Sequence, residues 1–329
     1  MYYIDNQNIT DPAINLALEE YAVRFLDKRK SYVLFYVNEP SIILGKYQNV
    51  FEEVNLSEAD QYRIPVYRRI SGGGTVYHDK GNLNFSYICK HTLKLFNSYH
   101  RFLQPIVQIL REIGADVSID QRNNLRIGPE KISGNAQFTS RNRLLSHGTL
   151  LFDSNLDQLY KVIKDASVPG QIISKGTKSQ RSSVTNVKYH LKKEISLEEL
   201  RHKLIYRIFK NNYQEHRLNL KDWQAIYDLA EFKYRSWEWN YGQSPPCRIG
   251  REFDLNGETH ELCLEIDAGR IKKFQIKGPF VTKTDSELMG TFLIGRRFSH
   301  VLLSDLMEKF RTEKRFKHLQ TLNWKSILF

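Results

Sequence analysis

Fifteen residues in the first quarter of the chain, Arg68-Arg69-Ile70-Ser71-Gly72-Gly73-Gly74-Thr75-Val76-Tyr77-His78-Asp79-Lys80-Gly81-Asn82, constrain its fold more than any other stretch. Three consecutive glycines remove every Cβ, so the main chain can take positive φ and a bulky ligand can lie against its N–H groups. Successive exposed N–H groups form a concavity for phosphate or carboxylate oxygens. Arg68 and Arg69 add fixed charge and forked donors suited to two oxygens of a phosphate at once, and Asp79 and Asn82 are residues that close turns. Val66 to Ile70 and Thr75 to Tyr77 read as strands on either side, and Asn84-Phe85-Ser86-Tyr87-Ile88 alternates polar and apolar at the strand period. A glycine run alone is equally a flexible hairpin. With strands on both sides and no helix after it, this one is neither a P-loop nor a dinucleotide fingerprint, whose glycines open a helix.

Two later segments, Lys131-Ile132-Ser133-Gly134-Asn135-Ala136 and His147-Gly148-Thr149-Leu150, complete a pattern. In this order and at about this spacing, the three stretches resemble the lipoate-protein ligases of the biotin/lipoyl ligase superfamily, and the resemblance extends over nearly the whole chain. It implies an α+β fold of mixed, largely antiparallel sheets covered by helices, with a catalytic domain over 1–245 and a small α+β accessory domain over 246–329. The resemblance further implies ATP-dependent activation of lipoate to lipoyl-AMP, with Mg2+ arriving on the nucleotide. The lipoyl group would then pass to a lysine of acidic lipoyl carrier domains, such as 2-oxoacid dehydrogenase acyltransferase subunits and the glycine cleavage H protein.

Both half-reactions develop negative charge on oxygens, so the site needs positioned donors more than an acid or base. The backbone N–H groups of Gly74, Thr75, Val76 and Tyr77 form the natural cradle, and the resemblance adds Ser71, Gly73, Ser133, Gly134, Ala136 and Gly148 to the binding set. Arg69 is expected to meet a phosphate directly, with Arg68 second because strand alternation turns only one of the two inward. Lys131 matches the family's essential lysine; a compact ammonium on a flexible stem follows moving charge where a guanidinium does not. His78 and His147, each beside a glycine motif, are candidates to order the pocket or position the incoming lysine amine, against the commoner structural role of a lone histidine. One departure stands out. Family members commonly carry Asn-Asp where this chain has Asn123-Asn124, so a carboxylate that could orient the nucleotide or hold magnesium is missing there.

The remainder reads in chain order. Thr10-Asp11-Pro12 starts a helix with Ile14, Leu18, Ala22 and Phe25 on one face and Glu19, Glu20 and Arg24 outside it. Strands are expected at 32–37 and 41–45, and the resemblance places Gly45-Lys46-Tyr47-Gln48-Asn49 near the acyl pocket. A helix over 102–113 ends at Gly114. Strands follow at 117–119 and 125–127, and 137–141 pairs with 144–152. Helices are read at 156–163, 196–209 and 222–232. Residues 166–183 read as a long loop of the kind that forms functional lids, with Lys175, Lys178 and Arg181 within reach of a polyphosphate. The paired prolines of Trp237 to Pro246 mark the domain boundary. Strands at 247–255, 260–267 and 270–276 with a helix over 301–310 complete the small domain.

Net charge of +12 over 329 residues draws acidic partners. Nucleic acid is one, but no recognised binding motif is present; an acidic carrier domain is the partner the resemblance favours. No apolar run approaches eighteen residues, so no membrane helix is indicated, and the polar start lacks a signal-peptide layout; a cytoplasmic location is the expectation. Cys89, Cys247 and Cys263 are too few and too scattered for a disulfide framework or a zinc site. They also bear on the alternative of the same fold, an ATP-independent lipoyl or octanoyl transferase. Some such enzymes use a nucleophilic cysteine, and none follows Lys131 where one would be sought.

Overall fold

The computed structural model describes residues 1–164, 172–210, 212–255, 257–279 and 281–299. The helix expected over 301–310 and the first part of the loop expected over 166–183 lie outside the described residues. The chain is α+β and divides into two units: Met1–Lys46, Pro65–Tyr160 and Gln180–Ser236 make the first, and Tyr47–Ile64, Lys161–Ser179 and Trp237–Phe329 the second.

The first unit holds eleven strands: β1 (Tyr2–Ile4), β2 (Tyr32–Tyr36), β3 (Ser41–Leu44), β4 (Val66–Arg68), β5 (Val76–His78), β6 (Asn82–Lys90), β7 (Val117–Ile119), β8 (Leu125–Ile127), β9 (Glu130–Ser133), β10 (Asn135–Ser140) and β11 (Arg143–Leu151). One sheet runs β1-β2-β6-β11-β10, and two small ones run β4-β3-β5 and β7-β8-β9. β6 and β11 pair over nine residues each, from Arg143 opposite Lys90 to Leu151 opposite Asn82. Arg141 and Asn142, both at positive φ, make the tight β10–β11 turn, the conformation that matches strand twist in a two-residue hairpin. Inward residues of the large sheet, Val33, Phe35, Phe85, Leu144 and Leu150, join Phe102, Ile106 and Leu110 of helix Tyr99–Glu112 and Leu200 and Leu204 of helix Leu197–Phe209 in one core. Each such fully buried side chain stabilises the fold by about 1.5–3 kcal/mol.

Helix Pro12–Arg24 starts as expected, with Asp11 Oδ1 accepting from the N–H groups of Ala13 and Ile14 and proline at its first position. Its second half departs from the expectation: Glu19 and Glu20 are buried, not outside. The helix is covered on two sides, by the β6 and β11 strands and by helix Leu220–Leu229 with the π-helical turn Ala230–Tyr234 that continues it. Glu20 is therefore matched internally, accepting from Arg24 Nε at 2.7 Å, Lys233 Nζ at 2.6 Å and the Tyr234 hydroxyl at 2.7 Å, as a buried charge requires. β1, a three-residue edge strand parallel to β2, was not anticipated in the polar N-terminus.

In the second unit β12 (Ile172–Ser174), β13 (Cys247–Leu255), β14 (Glu258–Asp267) and β15 (Arg270–Lys277) form an antiparallel sheet in that order. β12 comes from the stretch expected to be an irregular loop. Helix Lys283–Leu293, opened by a Thr282–Asp285 capping box, lies on β15. Residues after β12 are tied down by acidic side chains of Val50–Glu53: Glu53 accepts from the Ser179 N–H at 2.8 Å, and Lys178 Nζ lies 3.8 Å from Glu52. No helix among the described residues is long and apolar enough to cross a membrane.

Candidate active site

β4 lies parallel to β3 on one side of it, and β5 lies antiparallel on the other. The glycine stretch must therefore cross the end of β3, and two backbone bonds fix the crossing: Arg69 N–H donates to Leu44 O at 3.0 Å and Lys46 N–H to Ser71 O at 2.8 Å. The Arg69 guanidinium braces the loop from within. Nε donates to Ser71 Oγ at 3.0 Å, Nη1 to Ile43 O at 3.1 Å, and Nη2 to Gly72 O at 2.6 Å and Gly74 O at 2.8 Å. Four of its five N–H donors are thus spent, three on the stretch that a phosphate was expected to meet and one on β3. Burial pushes Arg69 down to about 10 against the pull of Glu19 and Tyr36. Arg68 is buried too, with Nη1 on Gly45 O at 3.0 Å, so strand alternation does not separate the pair. Of the three glycines only Gly73 has positive φ, +91°, and a Cβ there would stand 3.0 Å from Arg69 Nη2.

Lys131 is held from both sides of β9. Across β8 it faces Arg126; on the other edge its N–H donates to Ser183 O at 2.9 Å and its carbonyl accepts from Thr185 N–H at 3.1 Å. Its ammonium lies over Gly134, where a Cβ would be 3.2 Å from Lys131 Nζ and 4.0 Å from Val76 Cγ1. Ala136 lies on the same line, its Cβ 3.8 Å from where a Cβ on Gly73 would be. The fold thus brings Gly73, Val76, Lys131, Gly134 and Ala136 together. Burial lowers the Lys131 amine from its ordinary value, Asp120 works against that, and Arg126 and Arg69 add to it.

Gly148 serves the same junction by close approach. A Cβ there would fall 2.0 Å from Asn135 Oδ1, 2.6 Å from Phe85 Cζ and 2.9 Å from Gly134 O. Ser133 is buried and accepts from Asn135 Nδ2 at 3.2 Å. Thr75 is buried beside Val76, whereas the Tyr77 side chain turns to Gln158, donating its hydroxyl at 3.1 Å; Tyr77 is left in the cradle only through its backbone.

His147 joins the glycine loop to a residue that the sequence did not suggest. Its Nε2 is 2.6 Å from Ser71 Oγ, and its Nδ1 is 3.0 Å from Glu19 Oε2. Glu19 also accepts from the hydroxyls of Ser86 and Tyr36. Burial works against the Glu19 charge, but His147 and the two hydroxyls outweigh it and hold the carboxyl below its ordinary value. With Arg69 donating to Ser71, the order Arg69, Ser71, His147, Glu19 is an unbroken line of hydrogen bonds from loop to helix. The available signal was the helix composition: Ala13, Ile14, Leu16, Ala17, Leu18, Ala22 and Val23 circle the whole helix, which marks it as buried all round. His78 takes a different place. Asn15 donates to Asn38 Oδ1 at 2.9 Å, leaving Asn38 Nδ2 to donate to His78 Nδ1 at 2.9 Å. Burial, with Arg69 and His147 near, pushes His78 down to about 3, so the ring is neutral.

The fold and site define a class. Residues 11–209 match the family model described as the lipoyl protein ligase A/B catalytic domain. Lipoate-protein ligase LplJ of Bacillus subtilis is 39% identical over 100% of both chains. Among solved structures, lipoate-protein ligase A bound with ATP aligns with a TM-score of 0.61 at 27% identity, over 71% of this chain and 95% of that one. A bipartite lipoate protein ligase of Thermoplasma acidophilum, described with its E2 lipoyl domain, aligns with a TM-score of 0.63 at 26% identity, over 74% and 96%. The chain belongs to the lipoyl protein ligase family.

Proposed function

We propose that the protein activates lipoate with ATP to lipoyl-AMP and passes the lipoyl group to a lysine of an acidic lipoyl carrier domain, releasing AMP. The observation that carries the reading is the position of the Lys131 ammonium, over Gly134 and beside Val76, where the end of the glycine stretch and the Ser133 to Ala136 segment meet. A mobile cation at that junction can meet the lipoate carboxylate, then the bridging oxygen as the acyl–phosphate bond forms, then the departing phosphate oxygens. The backbone N–H groups from Gly74 to Tyr77 are the fixed donors of the same site. Arg69, in this reading, holds those donors in place instead of binding phosphate itself. Catalysis is assigned to the 1–245 segment.

Among the described residues no three His, Cys, Asp or Glu side chains converge as metal ligands. Magnesium would be held by the ATP phosphates, where it would offset their charge. A transferase that works through a cysteine thioester needs an activated thiolate. Burial raises the Cys89 thiol above its ordinary value and pushes Cys247 up to about 11, and Cys263 accepts from Arg248 Nε in the second unit. Relatives named as lipoate-protein ligases support the same choice.

The test is modification of an apo lipoyl domain in two reactions. One contains lipoate, ATP and magnesium; the other contains a lipoylated donor protein and no ATP. The ligase reading expects modification only in the first, with AMP and pyrophosphate released. Modification only in the second would establish the transferase.

A further inference from the structure

Lys131 stands in an arrangement of like charges. Its cross-strand partner is Arg126, and directly opposed residues of paired strands share a face, where like charges destabilise the pair. Arg69 lies close enough to act on the same amine, and burial adds a further penalty on its charge.

The β7–β8 turn holds Asp120, whose negative charge favours the charged form of the Lys131 amine. Asp120 Oδ1 accepts from the N–H groups of Arg122 at 2.8 Å and Asn124 at 2.9 Å, which shapes the turn. Its second oxygen does something else. Asp120 Oδ2 accepts from Arg126 Nε at 2.7 Å and from Asn124 Nδ2 at 2.9 Å. Arg126 in turn reaches Pro129 O and Ser182 Oγ, on either side of the Lys131 strand. The Asn124 amide is needed as a donor here: an aspartate at 124 would place two carboxylates at hydrogen-bond distance. Asn124 and Asp120 therefore share one negative charge and one hydrogen bond between them.

We propose that Asp120 is a positioning residue for the activation reaction, neutralising Arg126 across the strand pair and so keeping Lys131 charged and aimed into the site. The inference rests on the reading of Lys131 as the cation that meets the reacting oxygens. Among the described residues, the charged groups acting on Lys131 are Asp120 and Arg126 from the β7–β8 hairpin and Arg69 from the glycine loop; residues 183–185 carry no ionisable side chain.

The experiment is a charge exchange in the full chain, read by lipoate-dependent ATP–pyrophosphate exchange across pH, with melting temperature measured in parallel. Asp120→Asn is expected to slow activation about tenfold, and Asn124→Asp to slow it as well, each by loss or doubling of one charge. The double variant Asp120→Asn/Asn124→Asp is expected to return within about threefold of wild type, because the hydrogen bond between the two side chains is kept with its direction reversed. Asp120→Asn should also move the high-pH loss of activity to lower pH, and the double variant should move it back. A double variant no better than the worse single variant overturns the proposal. So does an Asp120→Asn enzyme whose activity falls only with its melting temperature while its pH profile is unmoved. Lys131→Ala that still forms lipoyl-AMP at the wild-type rate overturns both this inference and the reading of Lys131; loss in Lys131→Ala without rescue in the double variant overturns this inference alone.

Discussion

Arg69 and Lys131 divide two jobs that a basic side chain can do in an anion site. A guanidinium with three donors on carbonyl and hydroxyl oxygens of its own loop and a fourth on β3 is fixed in place, and in the proposed site its use is to hold N–H groups steady. An ammonium over a glycine, at the end of four methylenes, is free to follow charge. Lys131→Ala is accordingly expected to lower adenylation by roughly 10² to 10³ fold, the scale for one oxyanion donor, and Lys131→Arg should not restore it; pyrophosphate exchange measures both. Glu19 carries the corresponding prediction for stability. Its carboxyl is fully buried and held below its ordinary value of 4.5, so its contribution is present above that pH and is lost as pH falls through the folded value. Glu19→Gln leaves His147 and Ser71 without their anionic anchor and should destabilise the protein by about 3 kcal/mol near neutral pH. The gap to wild type should narrow as pH drops below about 4.5. A gap that stays constant down to pH 3, in urea unfolding series, would sink this assignment.

The elements legible in the sequence include strands buried throughout, β2 and β3, as well as helices and strands with one buried face. β7 and β8 lie where alternation put them, and helix Leu197–Phe209 begins at the Ser196 capping box. What was not legible depends on a second neighbour. Glu19 and Glu20 looked external because the helix was read with a single apolar face, whereas covering elements on two sides bury both. The internal partners of Arg69, the carbonyls of Gly72 and Gly74, become partners only once the loop crosses β3. β12 has three residues and gains its strand character from β13, far away in sequence. The three motifs meet in space around Lys131, whereas Asp120 and Glu19 join them through contacts that no spacing announces. Two glycines of those motifs should respond oppositely to the same change. Gly148→Ala places a methyl against Asn135, Phe85 and the backbone of Gly134, and should cost about 1–3 kcal/mol of stability by overpacking β11. Gly134→Ala meets only the flexible end of Lys131 and Val76 at longer range, so stability should change by no more than about 0.5 kcal/mol. Its activation rate should nevertheless fall by roughly tenfold as the ammonium is displaced. Melting curves and pyrophosphate exchange on the two variants separate the cases; a Gly134→Ala enzyme with wild-type activation would count against the position assigned to the Lys131 ammonium.

For the chain as a whole, +12 is a charge that no single site requires. Glu19, Glu20 and Asp120 are each matched locally by His147, Lys233 and Arg126, so internal pairing leaves most of the excess lysine and arginine to act outward. Summed over a surface, such an excess steers a negatively charged partner during approach and changes the encounter rate more than the final affinity. An acidic carrier domain should therefore be captured faster at low salt. Raising ionic strength from about 0.01 M to 0.15 M shortens the screening length from about 30 Å to about 8 Å, and kcat/KM for the apo carrier should fall by roughly tenfold over that range. The maximal rate at saturating carrier should change far less, because the activated acyl group and Lys131 meet inside a partly buried site where salt screens weakly. Steady-state transfer at several salt concentrations distinguishes the two parameters. A kcat/KM that is flat with ionic strength would remove steering from the account and assign carrier recognition to shape and hydrogen bonding, with the net charge playing no part in it.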